Sequence, residues 1–327
     1  MQVISFQAEH NQPLKKFWQA KEFRAEDCTH WSEAPFLVTD AFKETDFPLI
    51  TFPTSEISGK FLTSGTTQGR RGAHFHRCTQ LYETSLWAGW NLEQLPTQNL
   101  YFLTPPPSET PESSLIHMFG TLNQHTKALT TTVANEDAFI INTAGEINWD
   151  TLDNALDKNE PLMLLGPALA HLSLMRQRPK LPLPPGSKLL ETGGYKGSSI
   201  SLSKTEFYEQ LTQFYAIHTD RIVNEYGMTE LSTPAYASNI HGRHRLPHWA
   251  KAITIDPVTG TPSKQNQPGY LCLFDLANLE SVAAIRTQDY AITHPDGSFT
   301  LIGRDPKAIK RGCSLSSEEL LLTSPST

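Results

Sequence analysis

Between residues 99 and 227 short apolar runs alternate with segments of helical period, and this alternation restricts the fold more than any other feature of the chain. Residues 99–103 (Asn-Leu-Tyr-Phe-Leu) read as a strand stopped by Pro105-Pro106-Pro107, because proline cannot donate to a ladder. Strands are likewise expected at 138–141, 162–165, 188–190 and 221–223. Helices are expected between them at 149–156, capped near Asn148, at 168–178, and from a Ser203-Lys204-Thr205-Glu206 capping box that places Phe207, Leu211, Phe214 and Tyr215 on one face. A further helix is expected over 79–92. Strand–helix alternation of this kind implies an α/β layer built on a mostly parallel sheet.

On either side the texture changes. The first 60 residues mix short helical patterns with Phe17, Trp18 and Trp31, which suggests a helical lead-in packed on the main body. From about residue 246 helical periodicity disappears, and short β-like runs (252–255, 270–274, 284–286, 299–302) are joined by turns such as Asp256-Pro257-Val258-Thr259-Gly260 and Pro295-Asp296-Gly297. The expected organisation is an α/β core over 1–245, including the lead-in, a β-rich subdomain over 246–302, and a tail over 303–327. A chain of 327 residues is long enough to bury a large core. Its net charge of −7 disfavours nucleic acid or an anionic membrane as general partners. No apolar run approaches the ~20 residues that span a bilayer. The N-terminus lacks the basic start and apolar core of a secretory signal. Cys28, Cys78, Cys272 and Cys313 form no Cys-x-x-Cys pair, so a reducing cytoplasm is the expected location.

The chemistry concentrates in a few stretches. Phe61-Leu62-Thr63-Ser64-Gly65-Thr66-Thr67-Gln68-Gly69-Arg70-Arg71-Gly72 breaks from a strand-like run into hydroxyls, glycines and two arginines. Backbone N–H groups exposed by glycine, hydroxyl donors and guanidinium charge together form a cradle for phosphate. The Gly-Lys-[Ser/Thr] ending of a Walker A loop is missing, and the composition alone also suits a solvated loop. Glu191-Thr192-Gly193-Gly194-Tyr195-Lys196-Gly197 lies at the end of a predicted strand, where open α/β sheets bind ligands. Asn224-Glu225-Tyr226-Gly227-Met228-Thr229-Glu230 and Arg286-Thr287-Gln288-Asp289 follow, and then Gly303-Arg304-Asp305-Pro306-Lys307.

In order and detail these stretches resemble the adenylate-forming superfamily of acyl-CoA ligases, luciferases and peptide-synthetase adenylation domains. The resemblance implies the large domain of such enzymes, with mostly parallel sheets flanked by helices and a β-rich subdomain. It also implies ATP and Mg²⁺ as cofactors. Thr63, Ser64, Gly65, Thr66, Thr67 and Arg70 would hold phosphate, and Gly193 and Gly194 would wall the adenine. In Tyr226-Gly227-Met228-Thr229-Glu230, Tyr226 would pack on the adenine, Thr229 would touch the α-phosphate and Glu230 would hold Mg²⁺. Asp289 and Arg304 would bind the ribose. The sequence departs from the family at Gln68 and Gln288, both glycine in the usual pattern, and Arg70-Arg71-Gly72 replaces Pro-Lys-Gly. His117, in Leu115-Ile116-His117-Met118-Phe119, would border the carboxylate site or else belong to the core.

Barely a dozen residues follow Cys313-Ser314-Leu315, so the small C-terminal domain of the common ligases, with its catalytic lysine, is expected to be absent or vestigial. That feature, with Glu191-Thr192-Gly193-Gly194, Asp275-Leu276-Ala277-Asn278 and Arg311-Gly312-Cys313-Ser314-Leu315, is similar to the acyl-protein synthetases, which include the fatty-acid ligase of bacterial luminescence. By that resemblance Cys313 would take the acyl group as a thioester and pass it to a reductase. Lys310 and Arg311 beside it would favour thiolate, although a free cysteine is commonly just a small buried residue. Cys28, Cys78 and Cys272 read as structural. Lys196 and Lys310 are the cations expected to replace the absent lysine.

The expected reaction is ATP-dependent activation of a carboxylic acid, fatty by the resemblance, followed by transfer to a thiol. The rival acceptors are coenzyme A and an acyl carrier protein, as in phenylacetate–CoA ligases. A non-catalytic nucleotide-binding scaffold is the alternative outside enzymes. His74-x-His76 and the group His241, His244 and His248 offer imidazoles without a cysteine or carboxylate at ligand spacing. Trp87, Trp90, Phe102, Met118 and Phe119 could line an apolar tunnel or form core.

Overall fold

The computed structural model describes residues 2–63, 71–129, 138–193, 202–264 and 266–304, with the side chains of 127–129 left out. In chain order the elements are α1 Gln2–His10, α2 Gln12–Ala20, β1 Leu37–Val38, β2 Gly59–Leu62, β3 Ala73–His76, α3 Gln80–Leu92, β4 Leu100–Phe102, α4 Ser114–Leu129, α5 Trp149–Asp157, β5 Met163–Pro167, α6 Ala168–Gln177, β6 Lys188–Thr192, α7 Lys204–Tyr215, β7 Ile222–Tyr226, β8 Ala235–Ala237, β9 Ala250–Ile255, β10 Gly269–Asp275, β11 Ala284–Thr293 and β12 Phe299–Arg304.

Among the described residues the central sheet runs β4-β5-β6-β7-β8, parallel except for the antiparallel β7–β8 pair. The two-residue alternation of its strands sorts the core into two layers. Leu164, Leu189 and Ile222 face a cluster that includes Leu152 of α5, Leu172 of α6 and Phe207 and Leu211 of α7. Met163, Leu165, Leu190 and Val223 face Leu86 and Trp90 of α3 and Met118, Phe119 and Leu122 of α4. The expected α/β layer is therefore present, and helices cover both faces of the parallel sheet as such sheets require. Trp90, Phe102, Met118 and Phe119 are core residues, with Trp87 packed against them.

The helix signals held at their ends. Ser203 and Glu206 form a reciprocal capping box, and the Asn148 side chain accepts from Thr151 N. One strand expectation failed. Residues 138–141 make only isolated bridges, Phe102↔Phe139 and Ile141↔Ile147, with Ile140 N donating to Phe102 O at 2.8 Å. An apolar run that turns back at Gly145 is too short to extend the ladder.

The second sheet has the order β1-β11-β10-β9, with β12 on β11. Its strands after 246 were legible in the sequence, but β1 was not: it pairs parallel with β11, Leu37↔Ile285 and Val38↔Arg286. The N-terminal helices bury Ile4, Leu14 and Trp18 in one cluster with Leu271, Leu273, Ile285 and Phe299. Each such side chain stabilises the fold by roughly 1.5–3 kcal/mol on burial. Buried amides add direction. Gln7 Nε2 donates to Asn278 O at 2.9 Å, and Asn11 Nδ2 to Ser281 O at 2.9 Å.

No helix among the described residues is long and apolar enough to cross a membrane. Cys28 and Cys272 are buried, whereas Cys78, also read as structural, is exposed. Cys78 follows the β2–β3 hairpin, where the chain has returned to the surface.

Candidate functional site

The glycine-rich stretch joins the two strands of a hairpin, β2 and β3, whose register pairs Leu62 with Ala73. Its neck is tightly closed. Thr63 N donates to Gly72 O at 2.8 Å, Gly72 N donates to Thr63 Oγ1 at 2.7 Å, and Arg71 Nε donates to Thr63 O at 2.7 Å. A Cβ on Gly72 would meet Thr63 Cγ2 at 3.0 Å, so glycine is the residue that fits the neck. Ser64, Gly65, Thr66, Thr67, Gln68 and Arg70 lie outside the described residues, as do Gly194, Lys196, Lys310, Arg311 and Cys313. Gly193, at the end of β6, has φ +75°, a backbone conformation that favours glycine.

Strand β7 delivers Tyr226 to the carboxyl edge of the parallel sheet, and the turn after it brings Thr229 to the hairpin. Gly227 lies close under the Glu225 side chain, and a Cβ there would sit 2.4 Å from Glu225 Oε1, so the carboxyl would have to move. Thr229 Oγ1 lies 3.5 Å from Leu62 O and 3.4 Å from Ser114 Oγ, and His74 Nδ1–H donates to Thr229 O at 2.8 Å. Burial pushes His74 down to about 4, so the ring is neutral and serves as a fixed donor. The His-x-His pair is thus structural in part. On β3 both rings point inward, as a two-residue period dictates, and Phe61 packs on His76 with ring centroids 4.3 Å apart. That period was the sequence signal for a buried pair.

The second sheet supplies the other wall. Tyr226 OH donates to Asp289 Oδ2 at 2.8 Å, and Arg304 Nε donates to Asp289 Oδ1 at 3.2 Å. Three residues separated by as much as 78 positions in sequence, Tyr226, Asp289 and Arg304, therefore meet at one point. Gln288, the departure from the usual glycine, turns away and donates to Asp40 Oδ2 at 3.1 Å, while Asp40 also pairs with Lys43. Its side chain binds the lead-in and leaves Asp289 in place. Glu230 is buried. Loss of hydration pushes its carboxyl up to about 7, while the charges of Arg304 and Lys43 pull it back.

A hydrogen-bond network fixes the segment after Thr229. Asp275 Oδ2 accepts from Ser232 N at 3.0 Å, and its Oδ1 accepts from Thr233 Oγ1 at 2.6 Å and from Ala277 N at 2.9 Å. Asn278 Nδ2 donates to Glu230 O at 2.8 Å and to Val282 O at 3.0 Å, and Asn278 Oδ1 accepts from Ser232 Oγ at 2.6 Å. Asp275-Leu276-Ala277-Asn278 is thus a clamp on the Thr229-Glu230 turn. The sequence showed the motif but not what it holds.

Beneath the turn, β6 and β7 carry buried carboxyls. Tyr208 OH and Asn224 Nδ2 both donate to Glu191 Oε1, and His244 Nε2 donates to Asn224 Oδ1 at 2.7 Å. His244, also stacked on Phe299 with centroids 5.2 Å apart, is a core residue of this network. Thr192 Oγ1 donates to Glu225 Oε2. Burial pushes both Glu191 and Glu225 up from 4.5 to about 7. A carboxyl raised on folding stabilises the protein fully below the unfolded value, and that contribution is lost as pH rises through the folded value. At 1.36 kcal/mol per unit, each group accounts for up to about 3 kcal/mol lost between about pH 4.5 and 7. Glu191→Gln keeps an acceptor for Tyr208 and Asn224 and removes the titration. Thermal melts should show the wild-type Tm falling from pH 5 to pH 8 and the variant falling less; equal slopes would assign the loss elsewhere.

His117 lies one turn of α4 beyond Ser114. Its Nε2 is 2.9 Å from Glu83 Oε1 and its ring packs 5.1 Å from Phe61. At the same carboxyl edge a cavity of about 290 Å³ opens beyond β4 and β5, between Leu103, Thr104, Ile116, Ile141 and Pro167, with Arg71 and Glu112 among its lining residues. His117 does not line it.

No protein-family model and no curated protein matches the sequence. Solved structures do match in three dimensions. A 2-hydroxyisobutyryl-CoA ligase in an open conformation with 2-HIB-AMP and CoA superposes with TM-score 0.65 at 15% identity, covering 93% of this chain and 72% of that one. The same ligase in the thioesterification state gives TM-score 0.66 at 16% identity, over 93% and 66% of the two chains. ATP-bound MatB from Rhodopseudomonas palustris gives TM-score 0.52 at 14% identity, over 78% of this chain and 49% of MatB. Identities this low speak to the fold alone, and that fold is shared with these structures. The chain spans about half the length of MatB and 66–72% of the length of the hydroxyisobutyryl-CoA ligase.

Proposed function

We propose that this protein uses ATP to convert a carboxylic acid to its acyl-adenylate and then transfers the acyl group to a thiol. The observation that carries this reading is the meeting of Tyr226, Thr229, Asp289 and Arg304 beside the neck of the Thr63–Gly72 loop, at the carboxyl edge of a sheet whose fold is shared with ligases bound to ATP or an acyl-adenylate. Tyr226 would stack on the base and Asp289 would accept from the ribose hydroxyls, with Arg304 holding its carboxylate. Gly193 and Gly194 would wall the adenine.

The acid's carboxylate oxygen attacks the α-phosphorus, the bond to the bridging oxygen breaks, and pyrophosphate leaves with the electron pair. The protein contributes position and charge. By the resemblance, Thr229 and the hydroxyls of Thr63, Ser64, Thr66 and Thr67, with Arg70, would hold the phosphates, and Lys196 would supply a cation to the carboxylate. Glu230 offers a buried oxygen donor, which suits a hard divalent cation that takes its remaining ligands from phosphate and water. Bound there, Mg²⁺ would neutralise charge on the phosphates. A thiolate then attacks the acyl carbonyl carbon and AMP departs.

For the acceptor two readings stand. Two of the hydroxyisobutyryl-CoA ligase structures carry CoA, whereas the resemblance to acyl-protein synthetases favours Cys313, with a reductase as the partner. An acyl carrier protein is a third thiol source. Acid-dependent exchange of labelled pyrophosphate into ATP tests the first half-reaction; its absence with every acid would leave a nucleotide-binding scaffold. Intact mass after incubation with Mg·ATP and acid tests the second. A gain of one acyl group, lost on hydroxylamine treatment and absent from Cys313→Ser, would identify the protein thiol as acceptor. AMP release only once CoA or carrier protein is added would exclude it. The acid is fatty by the resemblance; the cavity bears on that point.

A further inference from the structure

The cavity beyond β4 and β5 is not explained by the nucleotide-binding residues. Leu103, Ile116, Ile141 and Pro167 give it buried apolar walls. Thr104 lines it as well, 2% exposed, and its Oγ1 has no hydrogen-bond partner among the described residues. Other hydroxyls of the lining are engaged. Thr110 Oγ1 donates to Pro106 O at 3.4 Å, and Ser113 Oγ accepts from Ile116 N at 3.3 Å. A buried hydroxyl left unpaired costs about 1–3 kcal/mol, and it is a donor and acceptor awaiting a partner. The cavity also adjoins the phosphate hairpin. Arg71 lines it and closes the neck at Thr63 O, and Glu112 lines it while its carbonyl accepts from Leu62 N at 2.9 Å.

The geometry points to this cavity as the site for the acyl chain of a short acid that carries a hydroxyl group, with Thr104 Oγ1 pairing with that hydroxyl. The inference rests on the adenylating role proposed above. At ~30 Å³ for a water-sized group, about 290 Å³ admits roughly ten non-hydrogen atoms. A short hydroxylated chain fills that space, and a long fatty chain would have to leave it. The apolar walls take the methylenes and Thr104 reads the oxygen. A site that pairs with a substrate hydroxyl discriminates strongly against the analogue lacking it.

The test uses hexanoate, its 2-, 3-, 4-, 5- and 6-hydroxy derivatives and tetradecanoate, with Mg·ATP, reading acid-dependent pyrophosphate exchange in the wild type and in Thr104→Val and Thr104→Ser. In the wild type at least one hydroxyhexanoate should exceed hexanoate about tenfold or more in kcat/KM. Thr104→Val should lower the ratio of kcat/KM for that hydroxyhexanoate to kcat/KM for hexanoate about tenfold or more, and Thr104→Ser should restore the ratio. Tetradecanoate as the best acid, or equal use of hexanoate and all its hydroxy derivatives, would overturn the assignment; the latter would mean that water alone pairs with Thr104. Exchange with no acid would instead overturn the adenylating role. In that case saturation-transfer NMR of the same acids without ATP decides the cavity. Binding of a hydroxyhexanoate in preference to hexanoate, lost in Thr104→Val, supports it, and no preference refutes it.

Discussion

Asn278→Ala should lower stability by about 3 kcal/mol or more and reduce turnover of the protein that remains folded. The side chain is 1% exposed and satisfies Glu230 O, Val282 O and Ser232 Oγ at once. Truncation leaves those buried groups unpaired at about 1–3 kcal/mol each. Urea denaturation should show a lower midpoint with an unchanged slope. The turn it clamps carries Thr229 and Glu230, so the KM for Mg·ATP should rise as well, an effect that a merely structural loss would not produce. Gln7→Ala, which removes the contact from α1 to Asn278 O and the bond from Ala283 N to Gln7 Oε1, should weaken the same network less. The two substitutions should be non-additive by about 0.5 kcal/mol or more, as neighbours in one network are. Full additivity would break the proposed link from the N-terminal helix to the turn.

The second large effect is expected at Asp289. Its carboxylate accepts from Tyr226 OH and from Arg304 Nε, and both partners are fixed by strands of different sheets. Hydrogen bonds to charged groups contribute roughly 1.5–3 kcal/mol each. Asp289→Ala would remove the acceptor for two ribose hydroxyls, so ATP affinity should fall by about a hundredfold or more. Calorimetric titration with ATP measures this directly. Tyr226→Phe should cost far less, since its ring remains to stack on the base. An unchanged ATP affinity in Asp289→Ala would remove Asp289 from the nucleotide site.

How much of this was legible in sequence follows from what each signal depends on. Tyr226-Gly227-Met228-Thr229-Glu230 could be read because its parts are neighbours in the chain, following directly on the end of β7. Periodicity and caps gave the parallel sheet and helices such as α7 for the same local reason. The joining of Asp289 to Tyr226 depends on the packing of one sheet against another, and no local pattern encodes that. Nor does one encode the bond from Gln288 to Asp40, 248 residues apart, or the parallel pairing of β1 with β11. The failed strand at 138–141 and the exposed Cys78 have a common origin: composition reports the tendency of a segment, whereas the edge of a sheet or the surface of a hairpin decides its outcome. Cys313, Lys196 and the tip of the phosphate loop rest on their sequence motifs alone, as part of the proposed function.

The central claim is that the carboxylate attacks the α-phosphorus of ATP, and oxygen isotope transfer tests it most directly. The protein would be incubated with Mg·ATP, an acid labelled with ¹⁸O in its carboxylate, and CoA or hydroxylamine as acyl acceptor, and the products read by mass spectrometry. The account predicts one labelled oxygen in AMP, because the oxygen that forms the adenylate departs with phosphorus when the acyl group is taken. Label appearing in inorganic phosphate, with ADP as the nucleotide product, would contradict it by placing the attack on the γ-phosphorus.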